Sequence, residues 1–192
     1  MKLQTARGVR DIPPEEKIVK NKVVTSLQSM FERYGFLPLE TPIIERFETL
    51  AAKGGAGTAS DALKETFTFQ DQGKRKLGLR FELTTSLARY VTQNPTLKLP
   101  FKRYEMGPVF RDGPIKLGRY RQFWQCDVDT IGTASMLADA EIVSLAQTFF
   151  NFWNLNVVIK VNNRKLLNGI LTQAGIKNKE NALIAIDKLE KI

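Results

Sequence analysis

The chain reads as a single domain mixing helices and strands, and three observations lead there. Its 192 residues can bury a proper core as one unit. Hydrophobic residues at 43% and charged residues at 26% lie in the ordinary globular range. Runs of helical spacing also share the chain with short runs of period two, the mark of helices beside a half-buried sheet.

Asp11, followed by Ile12-Pro13-Pro14-Glu15-Glu16, starts a helix, with prolines and acids where a first turn tolerates them. Val23, Val24, Leu27, Met30, Phe31 and Tyr34 form its core-facing stripe, and Gly35 closes it. Residues 36–44 are extended, but Pro38 and Pro42 remove ladder donors, which confines the segment to a sheet edge. The run Gly54-Gly55-Ala56-Gly57-Thr58-Ala59-Ser60 lacks the Gly-Lys-Ser/Thr ending of a phosphate-cradling loop and reads as a mobile surface loop. Residues 66–69 and 77–82, split by the basic turn Gln72-Gly73-Lys74-Arg75, form a hairpin. A helix follows through Ser86, Leu87, Tyr90 and Val91, with Thr84 or Thr85 as its cap.

Residues 101–111 read as a strand and 112–118 as a loop. The next strand carries Arg119, Arg121, Phe123, Gln125, Asp127 and Asp129 on one face. Tyr120, Gln122, Trp124, Cys126, Val128 and Thr130 lie on the other, which is largely apolar and suited to packing. On the first face, arginine forks match phosphate oxygens, a ring can stack on a base, and carboxylates with amides can hold an ammonium or ring N–H. From alternation alone, a solvated sheet face explains the pattern equally well. Ser135 caps a long helix burying Ile142, Leu145, Ala146, Phe149, Phe150 and Trp153. Residues 157–161 make a further strand. Residues 164–174 form a helix stopped by Gly175, and Asn178 starts a last one still running at Ile192.

Lys and Arg number 29 against 20 Asp and Glu, and the net charge of +9 favours an anionic partner such as nucleic acid. Histidine is absent, which removes Ser-His and Cys-His nucleophiles and imidazole metal sites. Catalysis would then run on arginines, carboxylates, a bound metal and positioning, as phosphoryl or nucleotidyl transfer can. The one cysteine, Cys126, fits a reducing cytoplasm, and neither a membrane span nor an apolar leader is present.

Residues 110–129, FRDGPIKLGRYRQFWQCDVD, resemble motif 2 of the class II aminoacyl-tRNA synthetases, and of the histidyl-tRNA synthetase family in particular. The first helix and the segment ending at Pro42 resemble motif 1, the dimer element, and Arg80-Phe81-Glu82-Leu83-Thr84 resembles the family's histidine-contacting element. The resemblance implies an α+β fold, an antiparallel β-sheet flanked by helices. It implies ATP as substrate with Mg2+ on its phosphates, histidine and tRNA(His) as partners, and a homodimer through the region between Pro13 and Ile44. Histidine's carboxylate would attack the α-phosphorus in line to give an adenylate, and histidine would then pass to tRNA.

Carried over by position, Arg111 is the catalytic arginine, holding α-phosphate and amino-acid carboxylate together. Arg119 and Phe123 join it on ATP, Phe123 as the ring under adenine. Glu82, Leu83, Thr84, Gln125 and Asp129 join it on histidine. The family's acid two places after Arg111 is replaced here by Gly113, with Asp112 one place early. Motif 3, the arginine and glycine-rich histidine segments and the anticodon-binding domain are not found. Residues 1–192 are thus expected to be the N-terminal part of such a catalytic domain, activating histidine very poorly alone. Two rival readings are a catalytically inactive paralogue that senses histidine as a regulatory subunit of histidine biosynthesis, and a nucleic-acid module with no small-molecule site.

Overall fold

Two prolines open helix α1 (Pro14–Arg33) in the computed structural model, which describes residues 3–52, 61–115 and 118–188. Proline's fixed φ suits the first helical position, and Glu15 and Glu16 meet the helix's positive end. Gly35 leaves the helix at φ +77°, a left-handed conformation that favours glycine. Met30 and Phe31 are buried and Val23, Val24, Leu27 and Tyr34 half-buried, so the expected stripe is present. The glycine-rich run from Gly54 to Ser60 lies outside the described residues.

The strands are β1 (Leu37–Pro38), β2 (Ile44–Arg46), β3 (Thr68–Gln70), β4 (Lys76–Leu79), β5 (Phe101–Phe110) and β6 (Gln122–Ile131). The remaining helices are α2 (Phe47–Ala51), α3 (Asp61–Lys64), α4 (Thr84–Gln93), α5 (Met136–Phe152), α6 (Arg164–Gln173) and α7 (Lys179–Lys188). Strands pair in two sheets ordered β1-β5-β6 and β2-β4-β3. The hairpin forms as expected, with Phe69 opposite Leu77. The proline-bearing β1 is an edge strand, but it runs parallel to β5, so the sheet is not purely antiparallel. Alternation reveals a strand's faces and is silent on its direction. Arg80 joins the two sheets: its N–H donates to the Ile43 carbonyl at 2.9 Å and its carbonyl accepts the Phe110 N–H at 3.0 Å.

Residues Met1–Asn154 form one compact unit. Its core is Phe31, Phe36, Tyr104 and Leu145, edged by Leu27, Tyr34, Met106 and Val128, where α1 and α5 meet one face of β5 and β6. The Tyr34 hydroxyl reaches Ser144 Oγ at 3.1 Å and Thr148 Oγ1 at 2.9 Å, tying the two helices together. Ser135 Oγ accepts the Leu137 N–H at 3.3 Å, the expected cap of α5, although only Leu145 of that helix is fully buried. The expected apolar face of β6 holds at Val128 and fails at Trp124, which is 39% exposed beneath the Lys20 ammonium, 3.8 Å from the ring centre. The polar face is better covered, with Phe123, Gln125, Asp127 and Asp129 all half-buried.

Residues Leu155–Ile192 form the other unit, with α6 and α7. Asn163 Oδ1 accepts the Lys165 N–H at 2.9 Å, Gly175 turns the chain at φ +73°, and Asn178 Oδ1 accepts the Asn181 N–H at 3.1 Å. Residues 157–161, expected as a strand, form none: Val158 is 84% and Val161 73% exposed, and no described strand lies alongside to complete a ladder. Among the described residues no helix is long and apolar enough to cross a membrane.

Candidate functional site

Directly opposed residues on paired strands share a face. Register therefore sets Arg103 beside Asp129, Glu105 beside Asp127, Gly107 beside Gln125 and Val109 beside Phe123. Just past β5 the Arg111 N–H donates to the Arg121 carbonyl at 2.9 Å. The Arg111 guanidinium carbon lies 4.3 Å from the Phe81 ring centre and 4.9 Å from that of Phe123, with Nε donating to the Phe81 carbonyl at 3.4 Å. Two aromatic faces fix the guanidinium and leave N–H groups for an anion. Arg111, Arg119, Phe123 and Glu65 line a cavity of about 320 Å3, with Arg119 exposed at its edge.

Charge of the other sign gathers further along the ribbon. Glu82 is 8% exposed, and its carboxylate accepts the N–H groups of Thr84 and Thr85, both at 2.8 Å, and the Thr85 hydroxyl. Burial alone would raise this carboxyl, but the hydrogen bonds from Thr85 and Thr84 outweigh it and hold the group at about 2. Glu82 therefore caps α4, where the sequence pointed to Thr84 or Thr85. Burial pushes the Asp127 carboxyl up, helped by the neighbouring charges of Asp129, Glu82 and Glu105, while Arg103 pulls it back down.

Arg103 is wholly buried, with Nη2 2.7 Å from Asp129 Oδ2 and Nη1 3.9 Å from Glu105 Oε2. The closer contact is an ion pair without hydrogen-bond alignment. Glu105 Oε1 accepts from Thr41 N–H at 2.9 Å, Thr41 Oγ1 at 2.8 Å and Arg80 Nη1 at 2.9 Å. Between the cationic and acidic ends lies Gln125, whose Oε1 is buried without a hydrogen-bond partner among the described residues. No group of His, Cys, Asp or Glu that could cage a metal occurs among them.

A family model described as histidyl-tRNA synthetase matches residues 8–188. The chain belongs to the histidyl-tRNA synthetase family. It is 48% identical over 194 aligned residues to histidine–tRNA ligase 1 of Bacillus cereus, covering 100% of this chain and 44% of that protein. The crystal structure of the histidyl-tRNA synthetase of Nostoc sp. PCC 7120 superposes with a TM-score of 0.82 at 33% identity, over 98% of this chain and 44% of that one. The apo Staphylococcus aureus synthetase gives 0.65 at 27% identity, over 79% and 35%. The chain thus spans less than half the length of these relatives.

For this synthetase-family chain the fold brings Arg111, Arg119 and Phe123 to one cavity and puts Gln125 and Asp129 on the same ribbon face. Leu83 is fully buried, so its side chain belongs to the core. Thr84 is exposed and borders a separate, mainly apolar depression of about 530 Å3 with Thr49 and Ala88, larger than the site cavity but without its paired arginines. Asp112, the acid one place early, is drawn to Arg121, with Nη2 2.9 Å from Oδ1. Glu65, Arg80, Arg103 and Glu105 were missed by sequence reasoning. Charged residues two apart, on one face of a strand whose later residues are apolar, were the available signal for Arg103 and Glu105. Glu65 offered none.

Proposed function

We propose that this chain carries the ATP- and histidine-binding part of a cytoplasmic histidine–tRNA ligase, which activates histidine as its adenylate and transfers it to tRNA(His). The observation that carries this reading is the cavity shared by Arg111, Arg119 and Phe123, at one end of a ribbon whose other end is acidic. Polarity along the ribbon matches a zwitterionic amino acid laid against a nucleotide. Its ammonium meets Glu82, Asp127 and Asp129, and its carboxylate points toward Arg111.

In this reading adenine stacks on Phe123, and Arg111 spans the α-phosphate and the incoming carboxylate. That guanidinium neutralises charge as the carboxylate attacks phosphorus in line and pyrophosphate leaves. Gln125 Oε1, buried and unpartnered among the described residues, accepts a donor from histidine. Magnesium would arrive on the ATP phosphates and neutralise charge there, since small hard cations commonly take one or two carboxylates plus phosphates and keep several waters; no group of described residues is placed to cage it without them. Homodimerisation through the region from Pro13 to Ile44 is supported by the exposed Ile18, Val19, Leu37, Ile43 and Ile44, and by the β1 edge.

Titration calorimetry tests the reading with histidine, ATP and a non-hydrolysable histidyl-adenylate analogue, all three expected to bind. Phe123→Ala should weaken ATP by about tenfold, since base–ring stacking is worth about 1–3 kcal/mol, and weaken histidine by less, through the loosened Arg111 guanidinium. Histidine binding without ATP binding would instead support the regulatory paralogue. Sedimentation of the chain checks the dimer.

A further inference from the structure

Glu65 is used by neither the core nor the chemistry proposed above. Its backbone carbonyl accepts the Asp112 N–H at 2.7 Å, which pins it against the loop after β5. The side chain is half-buried and lines the cavity with Arg111, Arg119 and Phe123. A Cβ on Gly113 would stand 2.9 Å from Glu65 Cδ and Oε2 and 3.0 Å from Oε1, so the carboxyl fills the space a side chain there would occupy. With Asp112 turned onto Arg121, Glu65 is the only acid among the described residues lining the cavity. Nothing among those residues hydrogen-bonds or ion-pairs with its carboxyl.

We infer that Glu65 is the base-selecting residue of the nucleotide site, its carboxylate accepting a hydrogen bond from the exocyclic amino group of an adenine stacked on Phe123. The inference rests on the nucleotide reading above. Arg111 and Arg119 hold phosphates whatever base follows, so they confer affinity without choice. An ionised carboxylate is an acceptor only. It pairs with the 6-amino group of adenine and opposes the 6-carbonyl of hypoxanthine. Gly113 is part of the device, because a side chain there would displace the carboxyl.

The test measures ATP and ITP binding to the 192-residue chain by calorimetry, with and without Mg2+. ATP should bind at least about tenfold more tightly than ITP, the scale of one hydrogen bond to a charged group. Glu65→Gln, whose amide can donate to a 6-carbonyl, should bring that ratio to about one or below, with the melting temperature unchanged. Should that variant not fold, Gly113→Ala carries the test and should erode the ATP preference in the same direction. Equal wild-type affinities for ATP and ITP would overturn the assignment while leaving the nucleotide site intact. Equal weakening of both by Glu65→Gln would overturn it too, as would a loss confined to Mg2+, which would put Glu65 on the metal. Binding of neither nucleotide would refute the nucleotide reading itself.

Discussion

Replacing Arg103 by methionine should cost this chain about 3 kcal/mol, the low end of the range for breaking a buried ion pair. Arg103 is 0% exposed, and its guanidinium is 2.7 Å from Asp129 and 3.9 Å from Glu105. Methionine fills most of the volume but leaves Asp129 without its cation and removes the more distant of the two beside Glu105. The loss stays at the low end for two reasons. Asp129 keeps 29% of its side chain exposed and can recruit water, while Glu105 retains Thr41 and Arg80 on Oε1. Asp127 gives the variant a pH signature. Its carboxyl is already raised by burial and by neighbouring acids, and Arg103 is what pulls it down. Without Arg103 its folded pKa rises further above the unfolded value, so the folded state binds the proton more tightly. The deficit should therefore be largest above that raised value and shrink as pH falls through it. Urea denaturation at pH 7 and pH 5 measures both, and Arg103→Met/Asp129→Asn should recover part of the loss. A deficit below about 1 kcal/mol that is flat with pH would refute the reasoning, because a surface-like ion pair behaves that way.

Gly107→Ala should destabilise by about 1–3 kcal/mol, the usual cost of overpacking, because its Cβ would clash with Arg80 Nη2; guanidinium denaturation checks this, and a neutral result would mean Arg80 can move aside. Glu82→Gln should lower stability at pH 7 by about 1–2 kcal/mol, the scale of a lost helix cap. The carboxyl is depressed from 4.5 to about 2, so its contribution is present above 4.5 and lost as pH falls through about 2. Melts of variant and wild type should therefore converge in that window.

Local chemistry was the legible part of this fold. The proline-opened α1, its glycine exit, the Ser135 cap and the Asn178 start each follow from a few adjacent residues, and each is present. The ribbon face was legible too, since period two needs no knowledge of the partner strand. Features that depend on a distant partner were not. Residues 157–161 are a β-branched run typical of a strand, yet they pair with no described strand. Trp124 sits on the face expected to pack but stays partly exposed beneath the ammonium groups of Lys20 and Lys17. Glu65 lies far from β6 in sequence and reaches the cavity only because Gly113 has no side chain and the Asp112 N–H takes its carbonyl.

In the proposed reading, the buried charges of β5 follow from what the ribbon has to hold still. An acid that meets a cationic ligand must keep its direction when the site is empty, and a mobile surface carboxylate would lose side-chain freedom on binding. Here a chain of contacts supplies the restraint. Thr41 and Arg80 fix Glu105, Glu105 lies beside Arg103, and Arg103 holds Asp129. Such a chain needs room for Arg80 to cross the sheet face. Gly107 provides it, directly opposite Gln125. Thr41 belongs to the segment just after the β1 edge, so the anchor of the acidic end lies close in sequence to the surface proposed for the dimer. Disturbing that segment should thus reach Asp129 through Thr41, Glu105 and Arg103 without substituting any residue that faces the ligand in the proposed reading.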